Sequence, residues 1–206
     1  MADKGPAGAL ARPRFEAGDR LGAKDLAAEQ AWRRQRLRRH NRHLHGWGVA
    51  CGLWVAPALD GGKPWAVVVC PGYAVGPYGD EIAVSCAPRV DLREWIWSRP
   101  SDKHRTAYVA IRFAEAAIDP RSVGTNCGCT DSATRMSAVR EHFRIDVLWT
   151  PSAVGAITAV DLCHDIPACA PCPPTAYVLL AGIRLPSDEG TAITRADIDL
   201  SVRRMI

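Results

Sequence analysis

Five of the eight cysteines in this 206-residue chain lie in two stretches with neither helical nor strand periodicity. Cys127-Gly128-Cys129 sits in the first. Cys169-Ala170-Pro171-Cys172 sits in the second, preceded by Cys163 and His164. A Cys-x-Cys and a Cys-x-x-Cys on separate segments make a four-thiolate set suited to tetrahedral Zn²⁺, because each short spacing lets two sulfurs reach one ion. Gly128 supplies the backbone freedom of the tight pair and Pro171 stiffens the other. Four thiolates leave no open position for water, so the expected role is structural. Such sites contribute on the order of 10 kcal/mol in small peptide modules, enough to order loops that have little to bury. Cys163 or His164 remains an alternative ligand. A redox pair at Cys169 and Cys172 lacks the βαβ surroundings that chemistry uses. Disulfides formed after release from the cell, or unligated thiols, are the other readings. Cys51, Cys70 and Cys86 fall among apolar strand residues and are expected as small core residues.

Catalytic constellations are not assembled by this sequence. It contains no phosphate-binding loop, no dinucleotide fingerprint, no nucleophile elbow and no His-Glu-x-x-His. His40, His43 and His45 gather at a helix end, where cations oppose the helix dipole. Asp80, Glu81, Glu141 and Asp146 are scattered along turns and strand faces, with no acid–base pairing legible among them.

The elements that must position these residues begin with a basic helix. From Ala27 to Leu44 there is no Gly or Pro, and the good helix formers Ala, Leu, Gln and Arg dominate. Asp25 places a carboxylate in the first turn. Leu26, Gln30, Arg33, Leu37 and Leu44 fall on one stripe. Six arginines lie between Arg33 and Arg42, whereas the whole chain carries a net charge of only +4. Arg34, Arg38 and Arg42 are four apart and share a face, read as a partner-binding surface, with a solvated helix face as the other reading. The run lacks the aromatics of a base-stacking platform, so nucleic acid is the lesser reading. Gly46 ends the helix where a positive φ is wanted. Gly48 and Gly52 then fall on one face of a strand over 47–56, where another backbone or an aromatic ring must pack close.

Further strands are expected at Trp65–Cys70, Tyr73–Val75, Glu81–Cys86, Thr106–Phe113, Phe143–Trp149 and Ala176–Leu185. Asp91–Trp97 reads as a short helix or a sheet rim, and Ala196–Ile206 as a last strand or docking arm. The expected organisation is a flexible arm over 1–14, a lead-in and basic helix over 15–46, and an antiparallel β domain over 47–206. That domain would carry two long irregular loops, 114–138 and 150–175, knit by zinc. The fold class is therefore mainly β (α+β). A hydrophobic content of 48% and charged content of 23% are those of a soluble globular protein. With no signal-peptide core and no long apolar run, cytoplasmic synthesis and no membrane partner are expected.

Two runs carry a family resemblance. The first is Arg38-Arg39-His40-Asn41-Arg42, Leu44-His45-Gly46-Trp47-Gly48-Val49, Cys51-Gly52-Leu53 and Val55. The second is Pro71-Gly72, Ala74 and Gly79-Asp80-Glu81-Ile82. Together they resemble small proteins encoded with phage-tail-like baseplate genes, in extracellular contractile injection systems and related prophage clusters. The resemblance implies a structural, non-enzymatic part of such a particle, at the baseplate or the base of a fibre. Its partners would be other baseplate, tail or fibre proteins, with a homo-oligomer left open. A zinc-stabilised nucleic-acid-binding protein and a particle-borne hydrolase are the alternatives.

Overall fold

The computed structural model describes residues 10–58, 63–101, 103–123, 133–150, 175–188 and 190–206. Helix α1 (Ala23–His40) is followed by one π-helical turn (Asn41–His45) and then, among the described residues, by strands and short 3₁₀ segments. Strands β1 (Gly48–Gly52), β4 (Gly72–Val75) and β5 (Glu81–Val84) form one antiparallel sheet, and β2 (Val55–Pro57), β3 (Ala66–Val69) and β6 (Arg89–Asp91) a second. The third sheet has the order β10-β9-β7-β8, built from β7 (Thr106–Val123), β8 (Ala133–Leu148), β9 (Val178–Arg184) and β10 (Ile198–Asp199). The architecture is mainly β with one N-terminal helix, as the sequence leads one to expect.

The three sheets share one core. Leu53, Trp65, Ile82, Leu92, Ile111, Leu180 and Ile183 are its largest fully buried members. The strand expected over 47–56 is divided at Gly52–Leu53, where both residues have positive φ (61° and 53°). That kink moves the chain from the first sheet to the second, and the facing chains cross at the same level. Leu53 N donates to Pro71 O at 3.2 Å, and Cys70 N to Trp54 O at 2.7 Å. A left-handed leucine costs about 1–2 kcal/mol, which complete burial of its side chain offsets at about 1.5–3 kcal/mol.

A β-bulge between Val49 and Cys51 corrects one expectation. The extra residue reverses the alternation, so Val49 is fully buried while Cys51 is exposed. Cys86 is also exposed and Cys70 is half-buried, so these thiols are not core residues. In the folded protein Cys51 and Cys86 should react rapidly with a thiol reagent and Cys70 more slowly. Mass mapping after brief labelling checks this.

The expected irregular loop over 114–138 is strand at both ends. β7 and β8 keep one register from Tyr108↔Leu148 out to Val123↔Ala133, with Asp119, at φ +57°, left out of the pairing. Beyond Ile111, where pairing with β9 ends, they continue as a two-stranded ribbon. The Asp91–Trp97 stretch divides between β6 and a 3₁₀ helix at Leu92–Ser98. The C-terminal tail docks beside β1. Val49 N donates to Arg204 O at 2.7 Å and Ile206 N to Val49 O at 3.1 Å. Arg203 and Arg204 lie over the rings of Trp54 and Trp47 at 4.7 and 4.6 Å.

Candidate functional site

Helix α1 begins at Gly22, whose N–H donates to Asp25 Oδ2 at 2.8 Å, so Asp25 does stabilise the first turn. None of its 18 residues is buried. Leu26 and Leu37 are 54% and 49% exposed, and Leu44 in the π-turn is 69% exposed. The leucines of that stripe therefore face solvent. An isolated helix of this length is marginal in water, and most helical stability in proteins comes from tertiary packing. What fastens α1 is a set of polar contacts at its C-terminal half.

Those contacts begin with the arginine face. Arg34 Nη1 donates to Glu115 Oε1 at 3.2 Å, and Arg38 Nε donates to Asp80 Oδ1. The Arg38 guanidinium also lies 6.0 Å from the Phe113 ring centroid. Asn41, buried, donates from Nδ2 to Gly79 O at 3.0 Å and to Glu81 Oε1 at 3.4 Å. Arg42 is half-buried. Arg34 and Arg38 are thus turned onto the chain's own β body. Four-residue spacing placed these arginines together but could not tell inside from outside, since Glu115 and Asp80 are 81 and 42 residues away. Elsewhere on α1, Arg33 pairs with Glu29 at 2.8 Å, and Trp32 lies between Arg12 and Arg36 at 5.9 and 5.5 Å.

The three glycines differ in what they meet. Gly46 has φ +80°, as a helix end requires, and only Ile206 and Arg204 side-chain atoms lie near it. At Gly48 a Cβ would fall 2.5 Å from Arg204 O, so the neighbouring backbone expected there is the docked C-terminal segment. At Gly52 it would strike the Pro71 carbonyl. A fourth was not singled out from the sequence: Gly79, φ +89°, where a Cβ would strike the Arg38 carbonyl. The Gly79-Asp80 pair in the second sequence run was its only signal.

Cys127, Cys129, Cys163, His164, Cys169 and Cys172 lie outside the described residues. Among the described residues no three His, Cys, Asp or Glu side chains gather as metal ligands. The histidine approach is between His40 and His45, whose rings are 5.3 Å apart. The described chain does fix where the two cysteine segments join it. Val178, at the start of β9, pairs with Ile111, whereas β7 ends at Val123. Those two points on β7 are on the order of 40 Å apart at roughly 3.3 Å per residue.

Asp80, Glu81, Asp91 and Asp146 serve the architecture. Asp80 and Glu81 anchor α1. Glu81 also accepts from Tyr73, whose phenol is pushed up to about 12, first by burial and then by that carboxylate. Asp146 is buried and receives Arg112 Nε at 2.9 Å. Burial, then Asp146, raises Tyr177 above the usual phenol range. Burial would raise Asp91, but hydrogen bonds from Arg93 and Lys63 outweigh it and hold the carboxyl low. Ser101 Oγ lies 3.0 Å from His104 Nδ1, yet both are on one exposed turn closed by His104 N donating to Ser101 O at 3.0 Å. That contact belongs to the turn.

No protein-family model and no curated protein matches the chain. A solved structure of the type VI secretion system TssK-TssF-TssG baseplate subcomplex contains a chain similar to it, with a TM-score of 0.45 and 13% identity. The similarity covers 88% of this chain and 58% of that one, so the present chain spans little more than half that subunit's length. Among the described residues no helix is long and apolar enough to cross a membrane.

Proposed function

We propose that this chain is a structural adaptor of a phage-tail-like contractile injection particle, at the baseplate or the base of a fibre. The observation that carries this reading is α1, an 18-residue helix that buries none of its residues and presents Leu26 and Leu37 outward. A helix so placed acquires its packing from a partner.

The motif residues support the same reading. The two runs that carry the family resemblance meet at the joint between α1 and the β body. Asn41 bonds Gly79 and Glu81, Arg38 pairs with Asp80, and Gly52 lies against Pro71 and Gly72. The shared residues thus read as those that set the helix at a fixed angle to the sheets. Nucleic acid is not favoured, because Arg34 and Arg38 are already held by carboxylates of the same chain.

Incorporation into particles tests the proposal. Leu26→Glu combined with Leu37→Glu changes only exposed side chains, so the variant should fold and melt within a degree or two of the parent. Quantitative mass spectrometry of purified particles should find it depleted at least tenfold. Normal incorporation of the folded variant would refute the assembly role of this face. The triple reversal Arg34→Glu, Arg38→Glu, Arg42→Glu should also fail to incorporate, because α1 is then repelled from Glu115 and Asp80.

We also propose that Cys127, Cys129, Cys169 and Cys172 hold a structural Zn²⁺. Protein purified under reducing conditions should contain close to one zinc per chain, and Cys169→Ser or Cys127→Ser should lower both zinc and melting temperature. Cys51→Ala should leave zinc unchanged. The separation of the two attachment points makes mass in solution part of this measurement. One ion per monomer assigns all four thiolates to one chain, whereas zinc found only in an oligomer assigns them to two copies. Metal-free protein would refute the site.

A further inference from the structure

The ribbon of β7 and β8 carries a cationic face that the reading above leaves unused. Its cross-strand pairs run Arg112↔Arg144, Ala114↔His142 and Ala116↔Arg140. Residues two apart share a face, so β8 presents Arg140, His142 and Arg144 in a row beside a row of small alanines on β7. Like charges directly opposite each other are unfavourable unless something neutralises them. Arg112 is neutralised by buried Asp146 at 2.9 Å. Arg144 and Arg140, both exposed, have no ion-pair partner among the described residues. His142 Nδ1 lies 2.9 Å from Phe143 O, a bond it makes as donor, which leaves Nε2 for another group.

Arg112, Phe113, Ala114, His142 and Arg144 line a concavity of about 630 Å³ together with Arg38 of α1 and Glu115. The carboxylates around it are already engaged: Glu115 by Arg34, Asp80 by Arg38 and Asp146 by Arg112. The concavity therefore has cationic groups to offer and no internal carboxylate for Arg144. β8 is also the outer strand of its sheet, so its far edge has no strand partner among the described residues.

We propose that this face binds an extended acidic segment of a partner protein, with carboxylates at alternate positions set against Arg144, His142 and Arg140. Alternate residues of a strand are about 6.6–6.8 Å apart, the repeat of the cationic row itself. Added strands gain main-chain bonds at a free edge while alternate side chains give specificity. Single-stranded nucleic acid fits less well, because base stacking wants exposed aromatic rings and the aromatic residue lining the concavity, Phe113, is half-buried with the Arg38 guanidinium 6.0 Å from its ring. The inference rests on the assembly reading only in supposing that another protein presents the segment.

The test uses the purified full chain and a short fluorescent peptide in which threonine and glutamate alternate. Two peptides of equal length serve as comparisons: one with glutamine in place of every glutamate, and one with all the glutamates in a block ahead of all the threonines. Oligo-dT is the anionic competitor. Saturable binding of the alternating acidic peptide is expected, at least fivefold tighter than either comparison. Arg140→Glu with Arg144→Glu should weaken it tenfold or more, and Arg144→Gln alone several-fold. Arg33→Gln on α1 should leave it unchanged. Absent binding at low salt, equal binding of oligo-dT, or an affinity indifferent to Arg144→Gln would each overturn the proposal. Because no particle is involved, failure here leaves incorporation untouched, and failure of incorporation leaves peptide binding standing.

Discussion

Valine in place of Gly52 is expected to lower the stability of this protein by about 2–5 kcal/mol. Two costs combine. Gly52 has φ +61°, a conformation worth about 1–2 kcal/mol against an L side chain. The new Cβ would also strike the Pro71 carbonyl, and overpacking typically costs about 1–3 kcal/mol. For a chain of this size each kcal/mol moves the melting temperature by about 2–4 °C. Gly48→Val should act in the same direction by pushing Arg204 away and loosening the C-terminal segment from β1. On an open strand valine would instead stabilise, being the better strand former. A rise in melting temperature for both variants would mean that the close contacts at this bend are misassigned.

The second large effect concerns the joint itself. Gly79→Val would drive a side chain into the Arg38 carbonyl, and Asn41→Ala would strip the buried Gly79 carbonyl of its donor. An unsatisfied buried acceptor costs about 1–3 kcal/mol. The β core does not depend on α1, so both variants should keep the core while the helix detaches. Trypsin cleavage among Arg33, Arg34, Arg36, Arg38 and Arg39 should accelerate tenfold or more, with cleavage in the β sheets unchanged. Equal cleavage rates in parent and variants would show that α1 is held by something other than this joint.

How much of this was legible beforehand depended on the kind of signal. Strands with one buried face announced themselves by alternation: Thr106–Phe113, Phe143–Trp149 and Ala176–Leu185 all fall in or around β7, β8 and β9. The outer ribbon did not, because its two faces are both largely exposed and impose no hydrophobic period, and Pro120 within Asp119-Pro120-Arg121 reads as a breaker. Only its partner strand makes it a ribbon, through pairs such as Ala116↔Arg140. The Cys51 thiol was misplaced for a local reason: a one-residue bulge turns it outward before the Gly52–Leu53 bend returns Leu53 and Val55 to the core, and the bulge has no marker in Val49-Ala50-Cys51. For α1, composition revealed a helix and spacing revealed a shared arginine face. The direction of that face depended on Asp80 and Glu115, which become its neighbours only in the folded chain.

The central claim is that the outer face of α1 is covered in a particle. Amide hydrogen exchange of residues 23–40, measured for the free chain and for the chain within isolated particles, tests it most directly. Exchange over 23–33 in the free chain, ahead of the contacts made by Arg34, Arg38 and Asn41, should be close to that of a marginal helix, because nothing is buried there. Within particles the same amides should slow by at least a hundredfold, while those of β7 and β9 near Ile111 should remain as they were. Equal exchange of α1 in both states would contradict the claim.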